Sequence, residues 1–107
     1  MDLFHSLQDI EKKEIFPGYT VRFIHSERMT LAYWTIREGA ALPEHSHPHE
    51  QVCNVFEGRF QLTIDGETKV MEAGSVAVIP SESKHSAIAL TDCRVMDVFQ
   101  PVREDYL

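Results

Sequence analysis

The sequence predicts an all-β domain, an antiparallel barrel or sandwich of many short strands. Three observations carry that expectation. Short segments rich in β-branched and aromatic residues recur along the chain, glycine-bearing turn signals separate them, and no long helical pattern follows any of them. Parallel neighbours need a crossover, usually helical, so the missing helices count against a βαβ arrangement.

Residues 2–14 mix apolar Leu3, Phe4, Leu7 and Ile10 with Asp9, Glu11, Lys12, Lys13 and Glu14, a spacing that fits a short amphipathic turn or helix ending before Pro17-Gly18. Residues 1–17 are expected to form a peripheral N-terminal arm on a single domain spanning 1–107. Beyond Gly18 strands are expected at 19–25, 29–37, 51–56, 59–64, 68–71, 76–79, 85–91 and 93–99. Turns fall at Glu38-Gly39, Glu57-Gly58, Asp65-Gly66, Ala73-Gly74 and 80–84. Asp65-Gly66 is the strongest hairpin signal, because both residue types tolerate the positive φ of a type I′ turn. Alternation puts His85, Ala87 and Ala89 on one strand face, a polar and small face that leaves room for a cavity. The same alternation groups Val95, Asp97 and Phe99, so Asp97 reads as a bulge, a solvated face or a pocket carboxylate.

Across 107 residues, 43% are hydrophobic and 25% charged, the composition of one small globular domain. A domain near this size buries only roughly 60–65% of its unfolded surface, which makes a homodimer the expected state. The net charge of -7 repels polyanions, so nucleic acid is not an expected partner. A small anionic ligand stays open, because one arginine or metal ion inside a pocket outweighs the average surface field. Cys53 and Cys93 show no CxxC spacing and fit a reducing cytoplasm. The acidic start and the lack of a long apolar run predict neither export nor membrane insertion.

Four of the six histidines fall in His45-Ser46-His47-Pro48-His49 and Lys84-His85-Ser86. In an extended strand His45 and His47 project to one side, and Gln51 has the same parity if the strand stays regular. Neutral imidazoles converging on one point suit a metal, a glutamine carbonyl supplies a neutral fourth ligand, and His85 could complete the set from a neighbouring strand. The other reading is a surface loop that binds nickel opportunistically. Pro48 disturbs a regular ladder, which makes His49 a pocket-rim or structural residue rather than a fifth ligand. Tyr33, Trp34, Phe56 and Phe60 read as barrel core or dimer contacts, with Trp34 also open as a sugar platform, and Cys53 reads as a small core hydrophobe.

The spacing around these histidines resembles the cupin superfamily, small antiparallel barrels with an internal metal site. Gly39, five residues, His45-Ser46-His47, then Gln51 and Gly58 reproduce its first motif, with Gln51 where glutamate is commonest. Gly74, five residues, Pro80 and His85 reproduce the second, with Glu82 at the usual second glycine and Ala89 at a frequent asparagine. The resemblance implies a single-domain cupin, a double-stranded β-helix or jelly-roll barrel.

The stretch from His45 to Gln51 and the ending from Met96 to Leu107 resemble the pectin-degradation cupins. That resemblance implies metal-dependent ring opening of 4,5-unsaturated monouronates to linear keto-uronates, a sugar-acid isomerisation. It implies one divalent transition metal ion per chain (Ni, Zn, Fe, Mn or Cu) on His45, His47, Gln51 and His85, and substrate handling by Asp97, Phe99 and Arg103. Four neutral ligands would leave the ion its full double charge, favouring a small anionic or sugar-acid ligand. Asp97 is then a candidate general acid or base and Arg103 a carboxylate clamp. Asp97 as a buried acceptor and Arg103 in a C-terminal ion pair are the structural alternatives. Another metal-dependent cupin oxygenase or isomerase, and a noncatalytic sugar- or metabolite-binding cupin, are the functional ones.

Overall fold

A computed structural model describes residues 2–107. Its strands are β1 (Lys13–Phe16), β2 (Tyr19–His25), β3 (Thr30–Ile36), β4 (Ala41–His45), β5 (Glu50–Glu57), β6 (Phe60–Ile64), β7 (Glu67–Met71), β8 (Val76–Ile79), β9 (His85–Ala89) and β10 (Cys93–Gln100). They form a six-stranded sheet ordered β1-β2-β3-β10-β5-β8 and a four-stranded sheet ordered β4-β9-β6-β7, every pairing antiparallel. The two sheets make an antiparallel barrel, as the strand pattern anticipates, of the jelly-roll kind that the cupin resemblance implies.

Period-two alternation decides what each strand turns inward. On β3, Ala32, Trp34 and Ile36 are buried; on β10, Cys93, Val95, Asp97 and Phe99 are buried while Arg94 and Gln100 are exposed. Val21, Ile36, Val55 and Ile79 are at most 1% exposed, and burying an aliphatic side chain of this size contributes about 1.5–3 kcal/mol. Phe60, Leu62 and Ala89 close the core from the smaller sheet. Asp97 is therefore a pocket carboxylate, not a bulge or a solvated face.

Observed strands agree with the predicted ones to within two residues at each end, and two further strands appear. Within 2–14 only Leu7–Asp9 forms a 3-10 turn, and the segment expected to be helical ends in β1. Ser6 supplies no side-chain cap, whereas the free edge of β2 offers Val21 and Thr20 as partners for Lys13 and Glu14. Sheet pairing thus overrides a weak helical pattern, and the arm's last residues become an edge strand. Pro43 hides β4 in the sequence, since proline cannot donate to a ladder. It is tolerated because β4 is an edge strand with a register shift between Leu42 and His45. Among the described residues no helix is long and apolar enough to cross a membrane.

Two turns show how glycine shapes the barrel. Asp65 (φ 47°) and Gly66 (φ 84°) make the expected left-handed pair at the β6–β7 hairpin. Gly58, at φ 89°, sits where a Cβ would overlap the Asp92 carbonyl oxygen and crowd Cys93 Sγ. Gly66 has open space around the same position. Gly66→Ala should cost about 1–2 kcal/mol, the left-handed penalty alone, while Gly58→Ala should cost at least ~3 kcal/mol by urea denaturation, because overlap adds to that penalty. Equal losses in the two variants would contradict the steric account.

Candidate metal centre

His45 closes β4 directly opposite His85, which opens β9, so one antiparallel pair brings two imidazoles to 4.1 Å between ring centroids. His47 follows in the bend before β5, 4.9 Å from the His85 ring. One nitrogen from each of the three lies within 4.8 Å of the others. The expected regular strand through 45–51 is absent: the chain leaves β4 at His45, bends over Pro48-His49 and enters β5 in the other sheet. Convergence thus comes from a sheet-to-sheet crossing, not from strand parity.

Hydrogen bonds fix how these rings face. His45 Nδ1 donates to Pro43 O at 2.8 Å, His47 Nδ1 to His49 O at 3.0 Å and His85 Nδ1 to Ser83 O at 2.9 Å. A carbonyl only accepts, so each Nδ1 carries the hydrogen and each neutral ring keeps a lone pair on Nε2. Nε2 of His85 is buried with no partner in the chain. Burial lowers the His85 pKa to about 4, helped by the nearby His45, His47 and Arg103 charges, and burial followed by Arg103 lowers that of His47. Gln51 reaches the same point from β5, its Oε1 3.1 Å from His47 Nε2. In that orientation two lone pairs face each other, an arrangement that a cation resolves. Bare imidazole nitrogens, an orphaned Nε2 and an inward amide oxygen together fit a divalent metal.

The turn after β8 braces the His47 loop. Glu82 N donates to His47 O at 2.8 Å, and Ser81 Oγ donates to Pro48 O at 2.6 Å. Glu82 holds φ 67°, a left-handed conformation costly for a residue with a side chain. The position thus suits glycine, and Glu82 occupies it at a conformational cost. His49 stays outside the three-donor group, with its ring 5.6 Å from His47 and its Nδ1 buried without a partner.

The histidines open onto a cavity of about 500 Å³, whose other walls include Trp34, Leu42, Cys53, Phe60, Asp97 and Phe99. Asp97 and Arg103 both line it, as the sequence reading required of them. Asp97 is 7% exposed; burial pushes its carboxyl up to about 6, opposed by Gln51, Cys53, Trp34 and Arg103. Burial and the Asp97 charge push the Cys53 thiol well above its usual range, so it remains a protonated core residue. Trp34 and Phe60 are buried wall residues, whereas Phe56 is 52% exposed and Tyr33 is half-buried on the opposite strand parity from Trp34.

Arg103 makes the C-terminal ion pair that the sequence left open as its structural alternative. Its Nε and Nη2 donate to the two oxygens of Asp105 at 2.9 and 2.7 Å, its Cζ lies 4.7 and 4.4 Å from the Phe99 and Tyr106 ring centroids, and its backbone N donates to Thr30 Oγ1 at 2.8 Å. Asp105 takes the side of the guanidinium, leaving its Nη1–Nη2 end for another carboxylate. Sequence reasoning missed Asp105, Tyr106 and Thr30. An Arg-x-Asp pair matches neither helical nor strand pairing, and Thr30 is distant in sequence, so only the folded C-terminal turn reveals them.

Two measurements test this geometry. His85→Ala should remove most bound divalent metal by elemental analysis of the purified protein, because it deletes a donor and opens the site to water; full occupancy would reject the ligand set. The second uses metal-free protein and Asp97. Its raised pKa means that the folded state binds more protons than the unfolded state between pH 3.8 and about 6, so stability falls as pH rises through that window. Asp97→Asn should therefore stabilise the chelated protein by up to ~3 kcal/mol near pH 8 and by little near pH 4, as read by chemical denaturation.

Known proteins share this fold. The Cupin domain family matches residues 32–99. The pectin degradation protein KdgF of Dickeya dadantii is 31% identical over 72 residues, covering 65% of this chain and 66% of that protein, just under two thirds of its length. An RmlC-like cupin from Shewanella frigidimarina superposes with a TM-score of 0.95 at 29% identity, over 100% of this chain and 97% of the other. KdgF from Halomonas sp. superposes at 0.93 with 27% identity over 100% of both chains. With its motif histidines gathered inside the jelly roll and the family match covering most of the strands, the chain belongs to the Cupin domain family.

Proposed function

We propose that residues 1–107 act as one catalytic domain, a metal-dependent isomerase that opens the ring of 4,5-unsaturated monouronates to linear keto-uronates. The observation that carries this reading is the placement of one buried carboxylate, Asp97, and one guanidinium, Arg103, in the same cavity as the histidine triad. Similarity to the KdgF proteins supports the substrate class.

Ring opening turns the hemiacetal hydroxyl into a carbonyl, breaks the bond from that carbon to the ring oxygen and adds a proton at the unsaturated carbon. One proton leaves oxygen, one joins carbon, and the product is an isomer. Asp97, whose carboxyl burial raises above the usual carboxylate range, suits proton transfer in either direction. Arg103, aimed by Asp105 and flanked by Phe99 and Tyr106, presents its remaining Nη donors to the uronate carboxylate. His45, His47, His85 and Gln51 would hold one divalent transition metal ion, which would polarise a substrate oxygen.

Loss of ultraviolet absorbance by 4,5-unsaturated galacturonate, corrected for the spontaneous rate, checks this. Metal-loaded protein should exceed background, and Asp97→Asn should lower turnover roughly 10²- to 10⁴-fold with metal content intact. Arg103→Lys should mainly raise KM, since lysine lacks the planar fork. A folded, metal-loaded protein with no rate above background would move the assignment to another cupin oxygenase or isomerase, or to a noncatalytic binding module.

We further propose a homodimer, working in the cytoplasm, that packs the outer face of the six-stranded sheet against a second copy. Outward positions there include Leu31, Val52, Phe56, Val76, Val78 and Val98, with Phe56, Val76 and Val78 more than half exposed. A sheet apolar on both faces is the pattern of one covered on both. Solution mass measurement should give a dimer, and Val78→Lys should shift it towards monomer; a wild-type monomer at high micromolar concentration would reject the interface.

A further inference from the structure

Two buried polar atoms in the cavity make no hydrogen bond of good geometry within the chain, Nε1 of Trp34 and Oδ1 of Asp97, although the indole N–H lies near enough to the Asp97 carboxyl to favour its ionised form. Both residues are 7% exposed and both line the cavity. Strand register explains their proximity. Val95 sits opposite Trp34 and Asp97 opposite Ala32, so Trp34 and Asp97 are diagonal neighbours on the inner face of β3 and β10. The indole is also fixed in place by edge-on contacts with Tyr19 at 5.8 Å and Phe23 at 6.2 Å.

The chemistry of the two atoms narrows what meets them. An indole N–H only donates, and an ionised carboxylate only accepts. A carboxylate ligand would satisfy the first and repel the second; an ammonium would do the reverse. A hydroxyl does both, accepting from one while donating to the other.

We propose that Trp34 Nε1 and Asp97 Oδ1 together form a subsite for one ligand hydroxyl, which makes Trp34 a specificity-determining residue for hydroxyl-bearing anions. The subsite stands on the two orphaned atoms. Identifying its occupant as the hemiacetal hydroxyl rests on the ring-opening reading. In that reaction the hydroxyl proton passes to Asp97, the oxygen's electron pair forms the new carbonyl, and the bond to the ring oxygen breaks. Its electrons pass into an enolate, which takes a proton at the unsaturated carbon; that proton is returned by Asp97 directly or through water, leaving the carboxylate as it began. The Trp34 N–H stays on the oxygen throughout.

Trp34 is the sole tryptophan, so the protein has one indole N–H resonance, and that resonance reports the cavity directly. The test titrates zinc-loaded protein with two carboxylates, D-galacturonate and cyclohexanecarboxylate, of which only the first carries hydroxyls. Galacturonate should move the indole resonance downfield saturably, and cyclohexanecarboxylate should produce no such shift. By calorimetry Trp34→Phe should weaken galacturonate about 5-fold, the loss of one neutral hydrogen bond, and leave cyclohexanecarboxylate unchanged. Equal weakening of both probes, unchanged galacturonate affinity, or no saturable galacturonate binding would overturn the subsite. If Trp34→Phe fails to fold, the wild-type response to the two probes decides alone. Selective galacturonate weakening without turnover of the unsaturated uronate would reject ring opening and keep the subsite. Turnover with equal weakening of both probes would do the opposite.

Discussion

Three backbone carbonyls, those of Pro43, His49 and Ser83, each take the Nδ1–H of one histidine, and the site depends on that constraint. Without it the imidazoles could flip or change tautomer and the Nε2 lone pairs would lose their common focus. Each carbonyl lies two residues from the ring it orients, so local backbone shape sets ring direction. The sheets then set distance: the β4–β9 pair carries two of the rings, and the crossing into β5 delivers the third ring and Gln51. A metal ion held by all four would join the two sheets at one end of the barrel.

The charge pattern follows the same division between local and long-range causes. The chain carries a net charge of -7, yet the cavity is lined by one guanidinium with its Asp105 partner, a group of imidazoles, and Asp97, whose pKa burial has raised. Asp105 neutralises one side of Arg103, and Phe99 and Tyr106 shield its faces. Anion recognition is thereby confined to the guanidinium end that faces away from Asp105, which gives direction as well as attraction.

Much of this was legible in the sequence because it is periodic or spaced. Alternation located Asp97 beside Val95 and Phe99, and the glycine and histidine intervals located His45, His47, Gln51 and His85. Features set by tertiary contact were not legible. Pro43 disguised β4, whose edge position makes proline harmless. Lys13 and Glu14 looked helical, but the β2 edge drew them into pairing. Trp34 was ambiguous between core and ligand contact. Its ring packs edge-on against Tyr19 as a core residue does, while its N–H makes no well-formed hydrogen bond, a detail that residue type alone does not show. The cost at Glu82 was visible only as a departure from a motif until its positive φ gave the reason.

The barrel's two ends differ in how firmly they are shut. The histidine end is tied by side-chain and backbone bonds from several elements, including Ser81, Glu82 and Thr30. The apolar end is closed partly by Ile15 and Phe16, which sit on β1, a four-residue edge strand whose pairing to β2 is interrupted between Glu14 and Phe16. Local opening free energy scales with the bonds and contacts that must break together, so β1 should detach far more often than the global fold unravels. Its amides would then exchange with solvent earlier than those of the central strands.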